Sequence, residues 1–271
     1  MAAEKKKNIS SAGNKQKKRR GLGALFALLL ILCAAAAAVF AVIAVFKALF
    51  PENPRFNLQK VLVTGTGYWK NHPEKLTGKI KLKKGTNLFK LDLKAIRRKT
   101  EKIPGIDSCS VMRILPDTLL FQVIERVPRA VLGSSNAPWL VDSKAIVMPR
   151  AQVMSKVRRL PTISGISLAG AKDGEPFNAA KTAVDLIMTA TRDFPDFNII
   201  EISLRKPDNM YVFLKYRRYP FIYRVMLPVK HRGLKFELQV LQSAIINALK
   251  NGDRRTIFDM SYEGKVVIKT P

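Results

Sequence analysis

Between Gly21 and Phe46 the chain runs for 26 residues without a charged side chain (GLGALFALLLILCAAAAAVFAVIAVF). At about 1.5 Å of rise per residue a helix of that length reaches roughly 39 Å, more than the ~30 Å hydrocarbon core of a bilayer. A cleavable secretory signal is the competing reading. Its apolar region is usually about 7–15 residues, however, and here the alanine cluster Ala34 to Ala38 is followed by further apolar residues. The segment therefore reads as an uncleaved anchor. Leu32 stands before Cys33, where a lipoprotein signal needs a small residue, so Cys33 reads as a passive residue within the span.

Charge sets the orientation. Residues 1–20 hold eight Lys and Arg against Glu4, while only Lys47 and Arg55 follow the span closely. The positive flank belongs in the cytoplasm and everything after about residue 50 outside. The tail cannot fold by itself. The whole chain of 271 residues has 48 Lys and Arg against 20 Asp and Glu, a net charge of +28, and the exported part keeps 39 basic and 19 acidic side chains. At 47% hydrophobic it is too apolar for a disordered protein and long enough for one or two domains. A basic chain suggests nucleic acid first. Outside a cytoplasmic membrane there is little, so no nucleic acid is expected; anionic lipid or cell-wall polymer are the nearer counterions, beside a plainly solvated basic surface. Cys33 lies in the bilayer and Cys109 beyond it, so the two cysteines cannot pair within one chain, and Cys109 reads as a small buried residue.

Pro51 and Pro54 break the helix and leave a stiff exit. Phe56 to Thr64 then reads as a strand, and Gly65-Thr-Gly67 as a turn, because it lacks the third glycine and following helix of a dinucleotide loop. A helix follows over about Pro73 to Ile80. After a loop at 83–87 Asp92 should cap a second helix running to about Ile103, and two β runs, Ser108 to Leu115 and Leu119 to Val127, flank Pro116-Asp117. Leu88 and Leu115 are candidate core residues. Farther on, Phe177 to Phe194 and Leu234 to Leu249 show helical spacing. Strands are expected at Ile199 to Leu204, Met210 to Tyr216, Phe221 to Leu227, within Thr256 to Tyr262, and at Lys265 to Lys269. The stretch Tyr216 to Arg224 interleaves aromatics with arginines; a strand pair with aromatics inward and arginines outward is preferred to a stacking platform for single-stranded nucleic acid.

These residues carry a resemblance. Phe56 with Val61-x-Val63-x-Gly65, Gly85-x-Asn87-Leu88-Phe89-x-Leu91-Asp92, Ile103-Pro104-x-Ile106, Arg113-x-Leu115-Pro116-Asp117-Thr118-Leu119, and Glu125-Arg126-x-Pro128-x-Ala130 resemble, in this order, the POTRA domain of the bacterial division proteins FtsQ and DivIB. Trp139-Leu-Val-Asp142 with Ile146-Val147, and Leu160-Pro161-x-Ile163-x-Gly165, resemble the β domain that follows there, although Ala145 stands where glycine is usual. The resemblance implies an α+β chain: a basic cytoplasmic tail (1–20), a transmembrane anchor (21–49), a β-α-α-β-β POTRA domain (54–128), and a mixed β-rich domain with two flanking helices (129–271).

No catalytic set nominates itself. His72 and His231 stand in different expected domains without ligands at metal spacing, no serine has a nucleophile framework, and Asp193 and Asp196 look like helix-end residues. A wall hydrolase would suit the location, but the chain reads as non-enzymatic, without cofactor or metal. Exposed β edges then become the means of recruiting partners. Lys265-Val-Val-Ile-Lys269 is the candidate edge, two residues from the end of the chain; the competing reading is that an earlier strand covers it or that its lysines only guard against aggregation. In the resembled family this edge binds FtsB, which pairs with FtsL. The matching positions are Tyr262, Gly264, Lys265, Val266, Val267 and Ile268, with Ser261 where arginine is frequent. A second contact surface is expected on POTRA near Glu125 and Arg126. What the resemblance implies is a single-pass division-septum scaffold in the bacterial cytoplasmic (inner) membrane, its carboxy terminus extracytoplasmic, that helps time septal peptidoglycan synthesis. The alternative is an envelope chaperone or assembly factor that binds exported chains by strand addition.

Overall fold

A computed structural model describes residues 5–65, 67–153, 159–217, 219–230, 233–262 and 265–270, with side chains from residue 26 onward except at 48. The chain divides into two compact units, one of residues 1–59, 84–91 and 115–117, the other of 60–83, 92–114 and 118–271.

The first unit is built on α1 (Lys5–Leu49). Within it Phe26–Lys47, 22 residues, is long and apolar enough to cross a membrane, and its side chains are exposed. The helix begins at Lys5, so the basic tail is helical in continuity with the apolar stretch. Lys, Gln, Arg and Ala are good helix formers, and extending an existing helix is far easier than nucleating one. Beyond Leu49 the backbone turns, and a 3₁₀ turn follows at Pro54–Phe56 with Asn53 as its cap. The segment 84–91 is clamped to this exit. Asn87 Nδ2 donates to the carbonyls of Phe50 (3.1 Å) and Asn53 (3.0 Å), while its Oδ1 accepts from the Phe89 amide (2.9 Å). Gly85 N donates to Leu58 O at 2.8 Å, and Leu58 N to Thr86 O at 3.0 Å. The rings of Phe46, Phe50, Phe56 and Phe89 gather here at centroid separations of 4.6–6.4 Å. Leu58 and Leu88 are fully buried.

Leu115 is 53% exposed, which corrects the expectation that it is a core residue; it stands at the turn after the β run, where its side chain escapes the sheet. Leu88→Ala should therefore cost about 2–5 kcal/mol. Leu115→Ala should stay within about 0.5 kcal/mol. Chemical denaturation of the two variants side by side checks this.

The second unit holds two sheets. In the first, β1 (Lys60–Thr64) lies parallel to β3 (Thr118–Glu125), which pairs antiparallel with β2 (Ile106–Ile114), giving the order β1-β3-β2. The first strand is shorter than its sequence run because Pro54–Phe56 is taken up in the 3₁₀ turn. Two helices supply the crossover that the parallel pair needs. In α2 (Pro73–Ile80) proline occupies the first turn and Lys81 (φ 54°) closes the helix in a left-handed conformation. In α3 (Leu93–Glu101) the Asp92 carboxylate accepts from Ala95 N at 3.0 Å. Helix α3 packs on β2, and α2 on β1 and α3.

The second sheet comprises, among the described residues, β4 (Ala130–Leu132), β5 (Trp139–Val141), β6 (Val147–Pro149), β7 (Thr162–Ser164), β8 (Phe197–Ser203), β9 (Asn209–Tyr216), β10 (Tyr223–Pro228), β11 (Ile257–Asp259) and β12 (Val267–Lys269). They are ordered β12-β11-β10-β9-β8-β7-β4-β5-β6. The parallel pairs β7/β8 and β10/β11 are bridged by α4 (Lys181–Asp193) and α5 (Leu234–Lys250), which pack on one another. Buried side chains of both helices (Val184, Ile187, Leu238, Leu241) join Ile202, Val212, Val225 and Phe258 of the sheet in one core. Strand β9 alternates strictly between half-buried and buried residues. Tyr216 and Tyr223 point inward and Arg217 and Arg224 outward, as the preferred reading of that stretch expects; Arg218 lies outside the described residues. Ala145 adopts a left-handed φ of 59°, which explains why a glycine suits this turn.

Candidate functional site

Strand β12 occupies one end of the larger sheet, and β11 is its one neighbour among the described residues. The register pairs Ile257 with Lys269, Phe258 with Ile268, and Asp259 with Val267. The outer side of β12 therefore presents unpaired main-chain groups, the property the edge reading requires. Side chains alternate as well. Val266 and Ile268 pack partly buried against the core, while Val267 is 40% exposed and Lys265 and Lys269 are exposed. Tyr262 is 56% exposed beside the strand, its carbonyl accepting from Lys265 N at 3.1 Å. Gly264 lies outside the described residues.

A carboxylate unnoticed in the sequence holds this edge in place. Asp259 is 2% exposed; it accepts from Lys269 Nζ (2.6 Å), the Ser261 hydroxyl (2.6 Å) and the Ser261 amide (3.0 Å). Burial alone would raise its pKa, but these donors outweigh burial and hold it below the usual 3.8. Its signal was an acid inside the apolar run Ile257-Phe258-Asp259-Met260. A group whose folded-state pKa is depressed contributes stability above its unfolded value and loses it as pH falls through the folded one. Asp259→Asn should thus cost about 1.5–3 kcal/mol at neutral pH. The gap from the parent should persist down to about pH 5 and close as pH falls below about 4, in thermal melts recorded across that range.

Glu125 and Arg126 serve internal contacts. The Glu125 carboxylate accepts the amides of Tyr68 (3.0 Å) and Trp69 (2.7 Å). It also sits where a Cβ on Gly67 would fall, and Gly67 has φ +122°, so a side chain there would meet both strain and the carboxylate. Arg126 is 10% exposed at its side chain and donates through one Nη to Asp107 (3.0 Å) and Asp142 (2.9 Å), the latter 6% exposed. Asp142 in turn caps its own turn by accepting from Lys144 N and Ile146 N, each at 2.8 Å. The pair thus ties the three-stranded sheet to the turn after β5. Its surface value is small compared with this internal role.

His72 caps α2 beside Glu74 (3.5 Å), and His231 lies outside the described residues. Asp193 and Asp196 pair with Arg192 and Arg217. Cys109 is 4% exposed and its thiol is pushed up to about 11 by desolvation first and the nearby Glu101 second, so it sits as an inert packing residue.

The fold thus combines an apolar amino-terminal helix, a small β-α-α-β-β unit and a β-rich region closed by an open strand. Residues 56–126 match the family model of the POTRA domain, FtsQ-type. Among characterised proteins, the chain is similar to the cell division protein FtsQ of Koribacter versatilis (25% identical over 46% of this chain and 37% of that protein). It is also similar to FtsQ of Syntrophotalea carbinolica (34% identical over 33% of this chain and 31% of that protein) and to the cell division protein DivIB of Clostridium acetobutylicum (25% identical, 55% and 59%). The domain match defines a POTRA-bearing protein with one apolar helix ahead of it. Together with these relatives it places the chain in the FtsQ/DivIB family. The matches span about a third of the length of the first two relatives.

Proposed function

We propose that the chain is a non-enzymatic, single-pass scaffold of the cell-division machinery, with residues 54–128 as its POTRA domain and 129–271 as its partner-binding domain. It would stand in the bacterial cytoplasmic membrane at the septum, with its carboxy terminus outside, joining FtsB-like and FtsL-like single-span partners and so helping to regulate septal peptidoglycan synthesis. The observation that carries this reading is the position of β12 at the end of its sheet, in a chain similar to FtsQ and DivIB. A partner strand laid along β12 would gain main-chain hydrogen bonds, while outward Val267 and exposed Tyr262 would supply side-chain selectivity. Arg126 contributes to this picture through the rigidity it gives the sheet junction.

The test is affinity isolation of the full-length chain from membranes of source cells, beside a version ending at Tyr262, with mass-spectrometric readout. Two small single-span coiled-coil proteins should be recovered with the first and lost with the second. Recovery of assorted envelope proteins by both versions would instead favour an envelope chaperone, and the edge assignment would fall.

A further inference from the structure

We propose that the segment 84–91, held against the end of α1, is a lipid-facing foot that binds anionic phospholipid head groups. The inference goes beyond the scaffold reading and rests only on Phe26–Lys47 crossing a bilayer. Its 22 residues rise about 33 Å, enough to fill a hydrocarbon core of ~30 Å, so Lys47 falls at the boundary. Phe50 lies three residues farther, about 4.5 Å, within a head-group layer roughly 5–7 Å thick on each side. Phe89 is brought to that depth by the fold: its ring lies 5.2 Å from Phe50 and 6.4 Å from Phe46, which belongs to the span itself. The Asn87 bonds to the Phe50 and Asn53 carbonyls hold the backbone of the segment at the same level.

Charge then selects the occupant. Lys84 and Lys90 flank Phe89 and are both exposed, and Lys47 and Arg55 stand on the same unit against the single acid Glu52 of the linker. None of the ion pairs found among the described residues engages these four cations. Apolar rings at head-group depth with cations beside them match the amphipathic boundary of a bilayer carrying phosphate-bearing anionic lipid. An extended wall polymer would meet the same charge but has no use for the rings.

The experiment places the full-length chain in lipid nanodiscs of phosphatidylcholine alone or with a third phosphatidylglycerol, and follows amide hydrogen exchange. Exchange in 84–91 should slow by about tenfold in the anionic discs at moderate salt, recover at high salt, and show no such difference in the double variant Lys84→Glu/Lys90→Glu. Both substitutions lie on exposed side chains, and unchanged protection of β3 in the variant verifies its fold. Equal exchange of 84–91 in both disc types overturns the proposal. So does slowing in neutral discs on addition of soluble anionic wall fragments without any response to phosphatidylglycerol. Protection of 26–47 in either disc separates these outcomes from a failure of the span itself.

Discussion

Val267→Glu is expected to reduce partner recovery at least about a hundredfold while leaving the thermal midpoint within about 2 °C of the parent. The two halves of this expectation come from one geometric fact. Val267 lies on β12 opposite Asp259 in register, yet its side chain is 40% exposed and points away from the core that Val266 and Ile268 touch. A glutamate can therefore be solvated in the free protein at small cost. Once a partner strand covers the edge, the same carboxylate must be desolvated without a cation assigned to it, a penalty of several kcal/mol. Val267→Thr keeps the β-branched shape and should retain most binding. Affinity isolation from membranes with quantitative mass spectrometry, together with melting of the purified variants, checks both halves. A folded Val267→Glu chain that recovers its partners at the parental level would remove β12 from the interface.

Local signals explain how far the sequence could be read. The proline at the start of α2, the Asp92 cap of α3 and the alternation of β9 are contact-independent, so helix and strand positions followed directly. The edge strand was legible for the same reason: lysines bracket a short β-branched run. What the sequence could not convey was which distant groups would meet. Asp259 and Asp142 look like ordinary loop acids until tertiary pairing brings Lys269, Ser261 and Arg126 to them. Glu125 and Arg126 read as surface because charged residues at a strand end usually are; both were claimed by groups at separations the local pattern cannot see. Leu115 failed in the opposite direction, since an apolar residue at a turn carries no period to say which side it faces.

The junction makes the second large prediction. Asp142→Ala should destabilise the protein by about 3–5 kcal/mol, because it strands a guanidinium whose side chain is 10% exposed and also removes the acceptor for two turn amides. Asp107 can keep part of the Arg126 charge satisfied, but it is 40% exposed and binds the same Nη. The Arg126 Nε is already buried without a partner, so the site has little reserve. Replacing both members, Arg126→Met with Asp142→Asn, should recover at least half of the loss, because no buried charge then remains and the amide oxygen can still cap the turn. A double-mutant cycle in urea unfolding gives the coupling directly, and additive costs for the two single variants would show that the pair does not act as a unit. If the coupling is present, the junction is also where stiffness between the three-stranded sheet and the partner-binding region should be lost first. Hydrogen exchange at β5 and the turn after it should then rise in Asp142→Ala well before β9 responds.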